Sequence, residues 1–387
     1  MMQNTPLKCL ILTVLMTSAC LITLNTQAYA APASCAIFEE NDIKQYALAH
    51  WDENNDGCID AQEADHVMEI PIFAFPKKSL KTLNDLKQFK NLDTIGESAF
   101  RGCKDLTVID LPQVKHIGDN AFTDTAAYII KLPNVIDIGQ EAFFSIRPNV
   151  TKPKVTYRFP KLKKLGRSAF ANIIPQAPAE ATYIMATDIP IGAFLNNRLI
   201  AKFEYANNSN QLDSRNYLSI GISAFQNSTI KKFTLSGGYI SIARDAFANS
   251  NLATFAGPRE PGLYEKPGLP GSRLSDGSIQ HLGDGAFRDS QLSKLDFFID
   301  LGALSSVNCK GNDTPFCTGS DVFEGTDLKI IYIEAPMARG GVTQNEVFDN
   351  VDTEEIILRV PMELKKQIEL EAGSFLGKEW KTIQYIR

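Results

Sequence analysis

Asp52, Asn54, Asp56, Asp60 and Glu63 place five oxygen-bearing side chains within one short run of chain. A hard divalent cation such as Ca²⁺ takes six to eight oxygen ligands, and this run offers them in a usable order. Asp52, Asn54 and Asp56 alternate. Gly57 comes next, where a cation loop must turn sharply. Cys58 serves through its carbonyl, Asp60 through a water, and Glu63 closes the site with both oxygens. The expected metal ligands are therefore Asp52, Asn54, Asp56, Cys58, Asp60 and Glu63, and the expected cofactor is Ca²⁺. An acidic surface turn is the plainer reading of the same residues.

The flanks favour the metal. Leu48 and Trp51 precede the loop at the spacing of an apolar helix face, and Val67 and Met68 come after it on an exiting helix. Helix, loop and helix together make the EF-hand pattern. Such hands usually pair through the eighth loop position, here Ile59, yet the chain contains no second loop. An unpaired hand must cover its apolar side with something else. The candidates are Ile70, Pro71-Ile72-Phe73 and the stretch Leu80-x-x-Leu83-x-x-Leu86-x-x-Phe89. The charge is local as well. Residues 35–70 carry ten Asp and Glu against one Lys, within a chain whose formal net charge is −6. The remainder is close to neutral, with no basic stripe for nucleic acid.

Beyond the hand the chain is repetitive. Ile95-Gly96-Glu97-Ser98-Ala99-Phe100 recurs as Ile117 to Phe122 and Ile138 to Phe143. Variants run from Leu165 to Phe170, Ile189 to Phe194, Ile220 to Phe225, Ile242 to Phe247 and Leu282 to Phe287, with eroded copies at Val322-Phe323 and Val347-Phe348. The phenylalanines lie 21 to 40 residues apart, on a base period near 22. Such a period predicts a solenoid of about ten coils, each too small to bury its apolar face alone. Between phrases, Leu106-Thr107-Val108-Ile109-Asp110-Leu111-Pro112 ends in strict alternation, which predicts one short strand per coil. Gly is expected to permit a tight bend, Ala close approach, and Phe to fill the space between coils. Apolar residues make up 44% of the chain, enough for a large core.

From Ala99 to Phe122 the chain reads A-F-x-x-C-x-L-x-x-I-x-L-P-x-x-V-x-x-I-G-x-x-A-F. It resembles the BspA-type leucine-rich repeat family of bacterial surface proteins over roughly residues 80–387. Leu358-Arg359-Val360-Pro361, with Trp380 and Ile383, resembles the family's C-terminal unit. A hand ahead of repeats is also similar to some bacterial surface repeat proteins. The resemblance implies an α/β solenoid, a curved leucine-rich repeat array; the end of such an array exposes core, so the helix-loop-helix EF-hand is expected to be its N-terminal cap. The resemblance also implies surface location and, loosely, adhesion. Later coils depart from the pattern: the Cys becomes Asn or Ser, and most lack the Pro.

The expected layout is a signal peptide over 1–30, the EF-hand segment over 31–72, the repeat solenoid over 73–355 and a C-terminal repeat unit over 356–387. Lys8 is the only charge in the first thirty residues, an apolar run spans Cys9 to Leu24, and Ala28-Tyr29-Ala30 has the form of a signal-peptidase site. Cys20 offers a lipoprotein site as the rival reading. No other stretch approaches a membrane span. Export is expected, to an extracellular, cell-surface or periplasmic location. An oxidising location favours a Cys309–Cys317 bond and allows one between Cys35 and Cys58, with Cys103 a buried thiol. His50, His66, His116 and His281 are scattered, and no catalytic motif appears, so no enzyme is expected. Binding is the default for a solenoid face. Its outward strand positions include Asp110, Lys131, Arg158, Glu204, Thr234, Asp296, Tyr332 and Arg359. This mixed face suits a protein or glycan partner rather than a polyanion. A structural envelope protein with a calcium-stabilised cap and no host ligand is the alternative.

Overall fold

The first four repeat phrases each open on a two-residue strand. Thr94–Ile95, His116–Ile117, Asp137–Ile138 and Lys164–Leu165 pair in parallel, each with the same two positions of the next. Glu69–Ile70 adds itself at the front of this sheet, so the array starts inside the 31–72 segment. The ladder resumes farther on with Tyr217–Ile220, Tyr239–Ile242 and Ser278–Leu282. The computed structural model describes residues 34–386, apart from 149–153, 207–216, 236–237, 258–277, 301–318, 335–345 and 371–372. The chain divides between Ser34 and Cys35, and both the array and the hand belong to the unit Cys35–Arg387. The 1–30 leader, the Cys309–Cys317 pair and all but Gly257 of the Pro- and Gly-rich stretch Gly257 to Gly277 lie outside the described residues.

A second parallel ladder is built from the alternating segments. Val108–Asp110 pairs with Ile129–Lys131. A six-stranded sheet then holds Lys154–Phe159, Glu180–Met185, Ile200–Tyr205, Lys232–Leu235, Thr254–Ala256 and Lys294–Asp296. A coil with both ladders thus carries two strands rather than the single one that alternation suggests. Where a glycine follows the extra strand, it lets neighbouring coils approach closely. A Cβ on Gly118 would lie 2.6 Å from the Glu97 nitrogen, and one on Gly166 only 2.3 Å from the Gln140 nitrogen. These glycines serve close backbone approach, not a tight bend.

The bend is made elsewhere. Ser98, Asn120, Glu141, Ser168, Ser223 and Asp245, just before the phrase's Ala, all adopt φ between 54° and 56°. The second residue after each ring phenylalanine does the same: Asp124, Ser145, Asn172, Asn196, Asn227, Asn249, Asp289 and Asn350, at 53° to 58°. Asn, Asp and Gly tolerate this region best, because a short polar side chain or none relieves the clash. The turns aim the phenylalanine N–H at the next coil. Phe100 N donates to Ala121 O at 2.8 Å, Phe122 N to Ala142 O at 2.8 Å and Phe143 N to Ala169 O at 2.9 Å.

This pitch stacks the rings. Phe75, Phe100, Phe122, Phe143, Phe170, Phe194, Phe225, Phe247, Phe287, Phe323 and Phe348 form one continuous column. Planes within 15° and centroids 5.0–5.6 Å apart define offset stacks, the arrangement the aromatic quadrupole prefers. Phe203, Phe233 and Phe255 form a second column from the strand side, meeting the first edge to face. Trp380 closes the far end edge-on against Phe348. The core is continuous from Ile43 to Leu376. Among the described residues no helix is long and apolar enough to cross a membrane.

Candidate functional site

The acidic run folds as helix, loop, helix. α1 spans Asn41–His50 and α2 spans Ala61–His66. Between them the side-chain oxygens fold back on the loop's own backbone. Asp52 accepts from Asp56 N at 3.2 Å and Gly57 N at 2.9 Å, while Asn54 Oδ1 accepts from Asp56 N at 2.8 Å. Gly57 has φ 82°, where only glycine sits without strain. Asp60 caps α2, accepting from Gln62 N and Glu63 N, and Glu63 returns a bond from Asp60 N at 2.9 Å. This reciprocal capping box fixes the last two proposed ligands. Glu63, only 5% exposed, also reaches Glu53 N across the loop at 2.9 Å. Among the described residues no group of three or more His, Cys, Asp and Glu side chains converges as a metal site. The donors nonetheless fit a hard cation in kind and order: Asp60 Oδ1 and Glu63 Oε1 each hold two N–H groups, but the two Asp52 oxygens and Glu63 Oε2 hold one apiece and keep a second lone pair.

Other side chains settle around the loop. Cys35 and Cys58 are joined in a disulfide, and beside it Ala36 N donates to Ile59 O at 2.8 Å. The eighth loop position, which would pair with a second hand, is therefore covered by the chain's own leading segment. His66 Nδ1 lies 2.8 Å from Glu53, and that hydrogen bond with its charge raises the imidazole pKa. Met68, expected on an apolar helix face, is 62% exposed. The helix stops at His66, and Met68 instead gives its carbonyl to Asp93 N and Thr94 N.

The helix pair sits on the first coil. Tyr46 lies 4.7 Å from Phe75, and Trp51 packs edge-on to Phe89 at 4.9 Å. Leu80, Leu83, Leu86 and Phe89, spaced by three, are all buried, with Asn84–Gln88 a 3₁₀ turn whose period is three. Asp85 was not foreseen. It lies buried with its carboxylate on Glu39 N (3.0 Å) and Glu40 N (2.8 Å), fixing the segment that leads into α1. Glu40 answers by accepting from Lys81 N and Thr82 N at 2.9 and 3.1 Å. Cys103 is buried as a thiol beneath, donating to Phe75 O, and burial pushes its pKa up to about 11.

The strand face carries one polar row in register and beside it a mixed row, in which Ile184 and Ala256 are apolar and buried. One runs Thr156, Thr182, Lys202, Lys232, Thr254, Lys294, and the other Arg158, Ile184, Glu204, Thr234, Ala256, Asp296. Lys202 pairs with Glu204 and Lys294 with Asp296 at 3.0 Å, tying the rows together. Asp110 and Lys131 are neighbours, and Lys87 reaches Asp110 at 2.8 Å. Tyr332 does not face out as expected. It is 7% exposed because the Arg359 guanidinium lies 5.3 Å over its ring and donates to its hydroxyl at 2.8 Å.

The phrase, its glycine contacts and the ring column describe one repeating unit. The family model for the BspA type leucine rich repeat region matches residues 68–199 and 187–261, in six copies. The chain belongs to this family. No curated protein matches the chain. Among solved structures, this BspA-type chain is similar to the pneumococcal vaccine antigen PcpA, at 17% identity and TM-score 0.33, over 84% of this chain and 78% of that one. It is also similar to a leucine-rich repeat protein from Bacteroides ovatus, at 13% identity and TM-score 0.28, over 83% and 92% of the two chains.

Proposed function

We propose that this chain is an exported or cell-surface protein that binds a protein or glycan partner through its strand face, with Ca²⁺ stabilising the N-terminal hand. The observation that carries the binding reading is the in-register polar row from Thr156 to Lys294, flanked by Arg158, Glu204, Thr234 and Asp296. Identical positions recur at one coil's spacing, so a partner lying along the array meets a periodic row of hydroxyls and ammonium groups. Reversing the lysine row (Lys202→Glu, Lys232→Glu, Lys294→Glu) leaves the buried ring columns untouched. Pull-down with the intact chain against extracellular matrix proteins, matrix glycans and the cell's own envelope is expected to retain a partner that the reversed variant loses about tenfold or more, since unlike charges now meet like. Equal capture by both proteins would end the strand-face reading. Capture of envelope components alone would favour the structural role.

For the hand, Asp52, Asn54, Asp56, the Cys58 carbonyl, Asp60 and Glu63 would hold one Ca²⁺. The ion would neutralise four carboxylates crowded in one loop. An unpaired extracellular hand is expected to bind with Kd on the order of 10⁻⁵–10⁻³ M. At calcium a hundredfold above Kd, linkage adds about 2.7 kcal/mol to whatever unfolds with the loop. Calorimetric titration should show this heat in the native chain and lose it in Glu63→Gln. If the first coil melts alike in calcium and in chelator while the heat persists, the hand is a separate module rather than a cap.

A further inference from the structure

Beyond the strand face, the turn edge holds a polar cleft. Asn196, Asn227 and Asn249 stand at the second position after successive ring phenylalanines, all left-handed at φ 53° to 56°. Asn196 donates through Nδ2 to Asn172 Oδ1 at 2.9 Å, and Asn227 to Asn196 Oδ1 at 3.1 Å. The chain of amides stops there. The side chains of Asn249, Asn251 and the exposed Arg198 make no hydrogen bond or ion pair with a described residue. Beneath them Ser228 is 1% exposed, and its hydroxyl has no partner among the described residues. These groups line a cleft of about 400 Å³ with no apolar side chain in its wall.

The chemistry narrows the ligand. A protein partner would anchor an aromatic or aliphatic group in an apolar pocket, and this cleft offers none. Amides both donate and accept, as sugar hydroxyls do. The coils at Phe194, Phe225 and Phe247 are 5.0 Å apart, close to the rise of one sugar residue in an extended β-linked polysaccharide. The Arg198 fork matches a carboxylate in bidentate fashion. We infer that this cleft binds an extended acidic polysaccharide, its hydroxyls on Asn227, Asn249 and Asn251 and a uronic-acid carboxylate on Arg198. This deepens the binding reading by giving it a second place and a ligand class.

The test is calorimetry with the intact chain and hexasaccharides of polymannuronate, polyglucuronate and hyaluronan, all β-linked, each beside its carboxyl-reduced form. At least one acidic hexasaccharide binds, and carboxyl reduction or Arg198→Gln each weakens it about tenfold, the loss of one charge-assisted pair. Asn249→Gly with Asn251→Ala, which keeps the left-handed turn, weakens it as well. The lysine-row reversal leaves it unchanged. Absence of binding to all three acidic hexasaccharides overturns the inference, as does equal binding by Arg198→Gln. A glycan lost only in the lysine-row variant overturns it too, and leaves the strand-face reading standing.

Discussion

Phe143→Ala is expected to destabilise the array by about 3–5 kcal/mol, measured by urea unfolding of the intact chain. The ring is wholly buried and stacked between Phe122 at 5.3 Å and Phe170 at 5.1 Å. Two terms add. The ring's transfer out of water is lost, and a cavity remains that the structure cannot close. Closure would require the neighbouring coils to approach, but Phe122 N–Ala142 O and Phe143 N–Ala169 O already hold them at hydrogen-bond distance. The effect should also be local, because each coil of a solenoid touches only its neighbours. Phe122→Ala combined with Phe143→Ala should depart from additivity, while Phe143→Ala with Phe287→Ala should add. A loss below about 1 kcal/mol would mean that the coils collapse around the gap and that the ring column is not the framework of the fold.

Much of this framework was readable because a ring at a fixed phrase is a strong signal. The column nevertheless begins one coil before the first intact phrase, at Phe75. Ile70 to Phe75 keeps the Ile, Ala and Phe but has Pro71 for the glycine. Phe73 and Lys77 also occupy the two left-handed positions, at φ 53° and 57°, where other coils place mostly Ser, Asn, Asp or Gly. The recurring Asn, Asp and Gly two residues after each phenylalanine was a legible sign of that turn. The two-residue strands were not legible, since two residues have no period. Asp85 was hidden for a different reason: its partners Glu39 and Glu40 are 46 and 45 positions away, so no local pattern contains them. In the loop, the order of oxygen donors was plain in the sequence. The capping box that now occupies Asp60 and Glu63 draws on the same residues, because N-cap chemistry and cation chemistry ask for the same carboxylates at the same spacing.

Replacing Cys35 and Cys58 together by alanine is expected to cost the N-terminal helix pair about 3 kcal/mol, the restriction that a bond across 23 residues places on the unfolded chain. The bond fixes the segment that covers the eighth loop position. Without it, the Ala36 N–Ile59 O contact and the pair of bonds between Ile37 and Gln88 are left to hold residues 35–38. Asp85 and Glu40 still pin the start of α1 to the first coil. Hydrogen exchange should therefore show fast opening of Ala36 and of the loop around Ile59, with the amides of Phe143 and beyond unchanged. The first coil decides what the helix pair is. Its buried face at Phe75, Leu83 and Phe89 is covered by Tyr46 and Trp51. If the pair acts as the cap, Gly96 and Phe100 lose protection together with the loop. If they keep it, the disulfide, the loop and the helices form a unit that unfolds alone, and the end of the array is held by its own ring column.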